Sequence, residues 1–327
     1  MPHVIASLLL IALTLFPFST FANNWHILDK NTILLEPHKE AQYLIPNQAL
    51  IQGEKCAALI DSHGDFVALE LLIAQIRGKL SVPLCYLVAT NLDIKQLSGM
   101  SLLKSAFPNA QLLIPNNTTT TSASIKSAID LELEEKLFGF EQSLELSKQR
   151  IAQASAEQQL HWHAKLQQAE QRLTRWRAIA PIEFQPLSSN KQLELGNYIL
   201  NLEIRNGYKG AVLHVYSPKN KALYGGHSLD LLPYIAQPNT IDWQQSLAQL
   251  SQRKDIKWVL PGYGKPYKAG QLSLPATFLA LINTLPSLQA LEQLASRYQL
   301  QKVSRERFDA YYQQATKQKI PNKVLNK

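Results

Sequence analysis

Beyond its first residues the chain has no segment long and apolar enough to cross a bilayer, which excludes a membrane-spanning body. It has no run of five or more basic residues, so nothing in it points to nucleic acid. Only two cysteines occur, Cys56 and Cys85, and they form no C-x-x-C pair of the kind that holds zinc or shuttles electrons. Glycine is scarce, 13 in 327 residues. No glycine loop can cradle a phosphate, and Gly262-Tyr263-Gly264 lacks the rest of a dinucleotide fingerprint. A G-x-S-x-G nucleophile turn is also missing. Ser101-Leu102-Leu103-Lys104 matches S-x-x-K, but a K-T-G companion is absent and both leucines suit a core helix. His161 and His163 stand two apart in a helical pattern, where side chains diverge and cannot chelate together.

Residues 1–22 contain no charged side chain. They hold an apolar run at 4–16, followed by Thr20-Phe21-Ala22 with small residues three and one before a cut. That is the pattern of a secretory signal peptide with a weak basic end. An uncleaved anchor is the alternative, but the run is shorter than the roughly 20 residues a span needs. The expectation is a periplasmic or secreted protein without a transmembrane segment in its mature chain. The mature part keeps the whole net charge of +8, spread along the sequence. In an oxidising compartment Cys56 and Cys85 either pair or remain two buried thiols.

From residue 41 onward, short apolar runs alternate with turns and amphipathic stretches. Strands are expected at 41–50, 56–60, 83–89 and 111–114, with helices at 66–80 and about 97–106. Pro46 marks the first of these as an edge strand. A polar loop at 116–124 leads into a helical region at 125–179. There Ser155-Ala156-Glu157-Gln158 reads as a capping box. Trp162, Leu166, Ala169, Leu173 and Trp176 follow a 4-3-4-3 stripe, a packing face or else a recognition surface for a partner. Strands are expected again at 192–204, 211–216, 222–224 and 258–260, with helices at 242–253 and from 275 onward. This alternation predicts a layered α/β fold.

Four segments in this order resemble the metallo-β-lactamase superfamily. Residues 56–61 with Gly64 are similar to its early strand and D-T-G-like turn. Thr90 and Gly99 stand nine apart, like the threonine and glycine of T-H-x-H-x-D-H-x-x-G. Residues 202–218 and 222–230 resemble the later strands that carry G-H-T-x-G and a Gly-Asp pair, and 259–266 the closing P-G-H-G-x-P turn. Helices between the metal loop and residue 192 occur in exported members related to the quinoprotein relay hydrolases. The resemblance covers most of 40–270. It implies an αββα sandwich over 23–270 with a helical insertion at about 125–180, then a helical C-terminal extension at 271–327.

The resemblance also implies zinc or iron activating a bound water, yet every metal position departs from it. Asn91, Asp93, Lys95 and Gln96 stand for His, His, Asp and His. The next histidine falls at Gly207, or at Tyr208 if one residue is gapped; the bridging aspartate falls on His227 and the last histidine on Tyr263. Lysine is cationic and amides are poor zinc ligands, so zinc is not expected and no cofactor is. Asn91, Asp93, Lys95, Gln96, His227 and Tyr263 are expected along one cleft edge, with Asp93 pairing Lys95 or His227 and Tyr263 filling space. His63 reads as a loop residue. The implied role is a non-catalytic protein binding a small molecule or a periplasmic protein. The rivals are a hydrolase of esters, thioesters or lactams with a rebuilt or single-metal site that uses Asp93, His227 and Tyr263, and a structural part of a periplasmic assembly.

Overall fold

The computed structural model describes residues 24–317 apart from 38, 118, 119, 238 and 285. The expected leader at 1–22 and the tail at 318–327 lie outside it.

In chain order, the first half runs β1 (Asn24–Asp29), β2 (Thr32–Glu36), β3 (Gln48–Gln52), β4 (Ala57–Ile60), α1 (Phe66–Lys79), β5 (Leu84–Val88), α2 (Ile94–Ala106), β6 (Gln111–Pro115), α3 (Ser122–Ala152), α4 (Ala156–Arg177) and β7 (Gln185–Leu187). These seven strands lie side by side in sequence order; β1 to β4 pair antiparallel and β4 to β7 parallel. The second half runs β8 (Lys191–Glu194), β9 (Ile199–Gly207), β10 (Gly210–Ser217), β11 (Ala222–Tyr224), α5 (Ile241–Ser251), β12 (Trp258–Leu260), β13 (Tyr267–Lys268), α6 (Ser273–Asn283), α7 (Leu288–Leu300) and α8 (Arg305–Lys317). Its six strands again neighbour one another in order, antiparallel except where α5 carries the chain across from β11 to parallel β12.

Three apolar layers follow from which faces are buried. Leu34, Ile51, Ile60 and Val88 of the first sheet meet Leu200, Leu213, Val215 and Tyr224 of the second. The outer face of the first sheet, with Leu59 and Leu87, packs on α1 and α2 through Leu69, Ile76, Leu97 and Met100. On the far side Leu223 and Val259 meet Trp243, Leu247, Phe278 and Tyr298. Strand β4 is buried on both faces, which explains its unbroken apolar run Ala57-Ala58-Leu59-Ile60. The result is helix, sheet, sheet, helix, as the resemblance implies. Beyond 271, α6, α7 and α8 supply Phe278, Tyr298 and Phe308, which pack on one another in the outer layer of the second sheet.

The helical region expected at about 125–180 folds as the hairpin α3–α4, and the Ser155–Gln158 capping box is present. The stripe on α4 is a packing face. Its end is anchored where the Trp176 ring meets Phe66 and Phe140 at 5.3 and 4.7 Å and its indole N–H donates to Glu70 at 3.0 Å. Cys56 and Cys85 form a disulfide between the starts of neighbouring strands β4 and β5.

Two expectations are corrected. The strand at 41–50 begins only at Gln48, because 41–47 folds as turns: Leu44 and Ile45 N–H donate to the Ala41 carbonyl, both at 2.9 Å. Asn47 then ties this flap across the molecule, its amide donating to the Pro261 and Gly264 carbonyls at 2.9 and 2.7 Å. Nor is β3 an edge strand; it lies between β2 and β4, with Pro46 before its first residue, and β1 forms the edge. The hairpin β1–β2 was not anticipated. Ile27 of β1 is 73% exposed, so the strand lacks the alternation by which a half-buried strand is recognised. Helix α2 starts earlier than expected, because Asp93 caps it.

Candidate functional site

The site grows from the ends of β4 and β5. Asp61 follows β4 in left-handed backbone, φ 61°, and is buried. Thr90, just past β5, donates to its carboxylate from N–H at 2.8 Å and from Oγ1 at 2.9 and 2.8 Å. Burial raises the Asp61 pKa from 3.8 to about 6, against the pull of those bonds. The Thr90 carbonyl accepts from Leu213 N–H at 2.8 Å, fastening the first sheet to the second at this point.

The loop after Thr90 satisfies its own polar groups. Asn91 is buried; its amide donates to Gln96 Oε1 at 3.1 Å and its oxygen accepts from Asp93 N–H at 2.8 Å. Asp93 accepts from the N–H groups of Lys95 and Gln96 as the N-cap of α2 and lies 3.8 Å from the Lys209 ammonium. Asp93 therefore pairs neither with the Lys95 ammonium nor with His227, as a cap must face its own helix. Asn91 lies beneath the cleft edge rather than along it, held there by Gln96.

His227 sits on a 3₁₀ turn at Gly226–Leu229, and its partner is Asp230, with Nδ1 3.3 Å from Oδ2. Asp230 is buried, accepts from Tyr263 N–H at 2.8 Å, and has its pKa raised by that burial. The imidazole contacts two phenol rings: Tyr208 stacks on it at 4.6 Å and 27°, and Tyr263 tilts against it at 4.5 Å and 37°. Tyr208, not Gly207, occupies this position. Gly207 ends β9 opposite Gly210, and the turn through Lys209 (φ 59°) presents the tyrosine. Burial and then nearby carboxylates raise both phenol pKa values, with Asp93 and Asp230 acting on each.

These groups line a cleft of about 730 Å³ at one end of both sheets. Its edge includes Asp93, Lys95 and Gln96, with Tyr208, His227, Asp230 and Tyr263 beside them. Tyr43, Leu44 and Ile45 come from the flap, Glu132, Glu135 and Lys136 from α3, and Tyr234 and Tyr311 complete the aromatic side. His63 also lines the cleft; it is buried, and burial lowers its pKa to about 4. Its Nδ1 accepts from Asp65 N–H at 3.2 Å, so the neutral ring carries its proton on Nε2, which has no partner among the described residues.

Sequence reasoning found the Thr90 loop, His227 and Tyr263, and offered Tyr208 only as an alternative. It missed Asp230, whose position three residues after His227 in a short helical turn is the one local signal. The flap and α8 residues had none, because their approach depends on long-range packing. The remaining candidates stay apart from the cleft. Ser101 is buried, while the Lys104 ammonium binds the Pro108 and Ala110 carbonyls, both at 2.7 Å. His161 and His163 are exposed on α4.

No family model and no curated protein matches the chain. Solved structures do. A metallo-β-lactamase from Pontibacter korlensis is 15% identical over 79% of this chain and 99% of its own, at TM-score 0.48. VMB-1, in a crystal structure at pH 5.5, is 15% identical over 81% of this chain and 99% of its own, at 0.50. TMB-1 is 16% identical over 80% and 99%, at 0.51. At such identity the likeness is one of architecture, and the architecture is the metallo-β-lactamase fold.

That fold implies zinc, and the side chains do not fit it. Asp61 is held by Thr90, Asp93 by its helix and His227 by Asp230, and the remaining positions offer amides, an ammonium or phenols that burial keeps protonated. Among the described residues no three His, Cys, Asp or Glu side chains group as metal ligands.

Proposed function

We propose that this is an exported protein of metallo-β-lactamase fold that binds a small molecule in its cleft without zinc-hydroxide chemistry. The observation that carries the reading is the His227 stack. The one imidazole at a former metal position is packed against two phenol rings, and its Nδ1 is engaged by a buried carboxylate. The self-satisfied Asn91–Gln96–Asp93 loop supports it, because those groups need no ion to hold their places. Export is supported by the leader-like residues 1–22 and by the Cys56–Cys85 disulfide, a bond that persists in oxidising compartments.

Protein purified without chelator is expected to carry no stoichiometric zinc or iron. It is also expected to turn over no ester, thioester or β-lactam, with or without added zinc. Stoichiometric zinc together with turnover lost in His227→Ala would overturn the proposal. A second reading has one observation in its favour. The half-buried His227 and the buried Asp230 form a pair that orients an imidazole as a general base requires. Metal-independent turnover abolished by both His227→Gln and Asp230→Asn would favour that hydrolase.

A further inference from the structure

The lining of the cleft combines tyrosines with carboxylates of α3. The chain carries a net charge of +8, yet five carboxylates and only two lysines line this cleft. Of those lysines, Lys136 is engaged by Glu132 at 2.7 Å, whereas Glu135 is exposed and has no ion-pair partner among the described residues. Carboxylates gathered in a cleft favour a counter-charged ligand, and they outnumber the cations at this site, Lys95 and Lys136 in the lining, Arg307 on two of its rings and Lys209 beside Asp93.

The aromatic side already holds a cation. The Arg307 guanidinium of α8 lies over the Tyr43 ring at 3.2 Å and the Tyr311 ring at 5.1 Å. Tyr234 meets Tyr311 edge-on at 5.5 Å and is 39% exposed, leaving ring surface open to a ligand. Phenol faces attract cations through the ring quadrupole, and grouped rings are how proteins hold quaternary ammonium groups.

We propose that the cleft takes a small organic cation, an ammonium or guanidinium group on an apolar or aromatic body, seated among the tyrosines and the α3 carboxylates. This names the ligand class of the binding role proposed above and rests on it. An anionic ligand would meet Glu132 and Glu135, and of the two lysines in the lining only Lys95 lies outside an ion pair among the described residues. The apolar body would lie along Leu44 and Ile45 of the flap.

The test is calorimetric titration of the full mature chain with benzyltrimethylammonium, and with benzyl alcohol and benzoate as neutral and charge-reversed isosteres. The cation is expected to bind at least about tenfold tighter than either isostere and to weaken several-fold when salt rises from about 0.05 to 0.5 M. Glu135→Gln, an exposed position whose change leaves the core intact, is expected to weaken the cation about threefold and leave benzyl alcohol unchanged. Tyr234→Leu is expected to weaken the cation by a similar factor. Equal affinity for all three probes, preference for benzoate, or no binding of the cation would each overturn the proposal. Metal content and turnover decide the broader reading separately, so a cleft that prefers benzoate and holds no zinc would refute the ligand class alone.

Discussion

Asp61 is a carboxyl group that the fold keeps dry. Burial raises its pKa from 3.8 to about 6 even though Thr90 supplies hydrogen bonds that favour the anion. Between those two values the folded chain holds a proton that the unfolded chain has released, so the folded state is favoured most in acid. Stability from this group is intact below about pH 4 and is lost as pH rises through 6. A shift of about two units corresponds to about 3 kcal/mol, of which roughly 1.5 kcal/mol is lost between about pH 5 and pH 7.5. Asp61→Asn keeps the shape and an acceptor for Thr90 N–H, tolerates left-handed backbone, and does not titrate. Urea unfolding followed by circular dichroism should show the mutant gaining roughly 1.5 kcal/mol relative to the wild type over that pH interval. Comparing the two differences cancels the pH-independent effect of exchanging oxygen for an amide, and also the other titrating groups. A mutant that runs parallel to the wild type, or loses ground as pH rises, would mean that Asp61 ionises as it does in water.

Four further outcomes follow from named contacts. His63 and His214 are buried, and burial lowers their pKa values to about 4 and about 3. The unfolded chain takes up protons there below its pKa of 6.5, so stability is lost as pH falls, by about 2 kcal/mol for each at pH 5. The melting temperature should therefore drop between pH 7 and 5 despite Asp61, and a flat profile refutes the assignment. Replacing Cys56 and Cys85 by serine opens a link across a separation of 29 residues, for an expected loss of about 3.5 kcal/mol in urea; a loss below about 1 kcal/mol argues against the link. Trp176→Ala removes the anchor of the α3–α4 hairpin and should cost about 3–5 kcal/mol. Limited proteolysis should then cut between α3 and α4 first, and a hairpin as resistant as the wild type's would count against the anchor. Gly226 has φ 52°, and a Cβ there would strike Thr90 Oγ1, so Gly226→Ala should cost roughly 2–4 kcal/mol by thermal melting.

Which parts of this molecule could be read from sequence depends on where each constraint resides. The run from β4 to α2 was legible because both faces of β4 are buried and α1 carries its apolar residues at helical spacing. The flap was misread because Tyr43, Leu44 and Ile45 have the composition of a strand. Leu44 is in fact 79% exposed, and the segment is held by Asn47 reaching carbonyls more than two hundred residues away. Composition records a preference for burial, and here a long-range hydrogen bond overrides it.

Within the site the same distinction separates the framework from the partners of its polar groups. Thr90 must stand where its N–H and hydroxyl meet Asp61. Gly99 must be glycine, since a Cβ would fall on the His63 carbonyl, and Gly226 approaches Thr90 in the same way. These are steric demands on the backbone and therefore appear as fixed residue types at fixed spacing, whatever occupies the cleft. The choice of partner for Asp93 or His227 is different. Asp93 could reach a helix terminus, a lysine or an imidazole, and the chain settles it by starting α2 one residue later. His227 finds Asp230 because a 3₁₀ turn brings residues three apart together. A spacing motif could thus locate this cleft, but the hydrogen bonds that set its polar groups in place emerge only once each group has chosen among neighbours that the fold supplies.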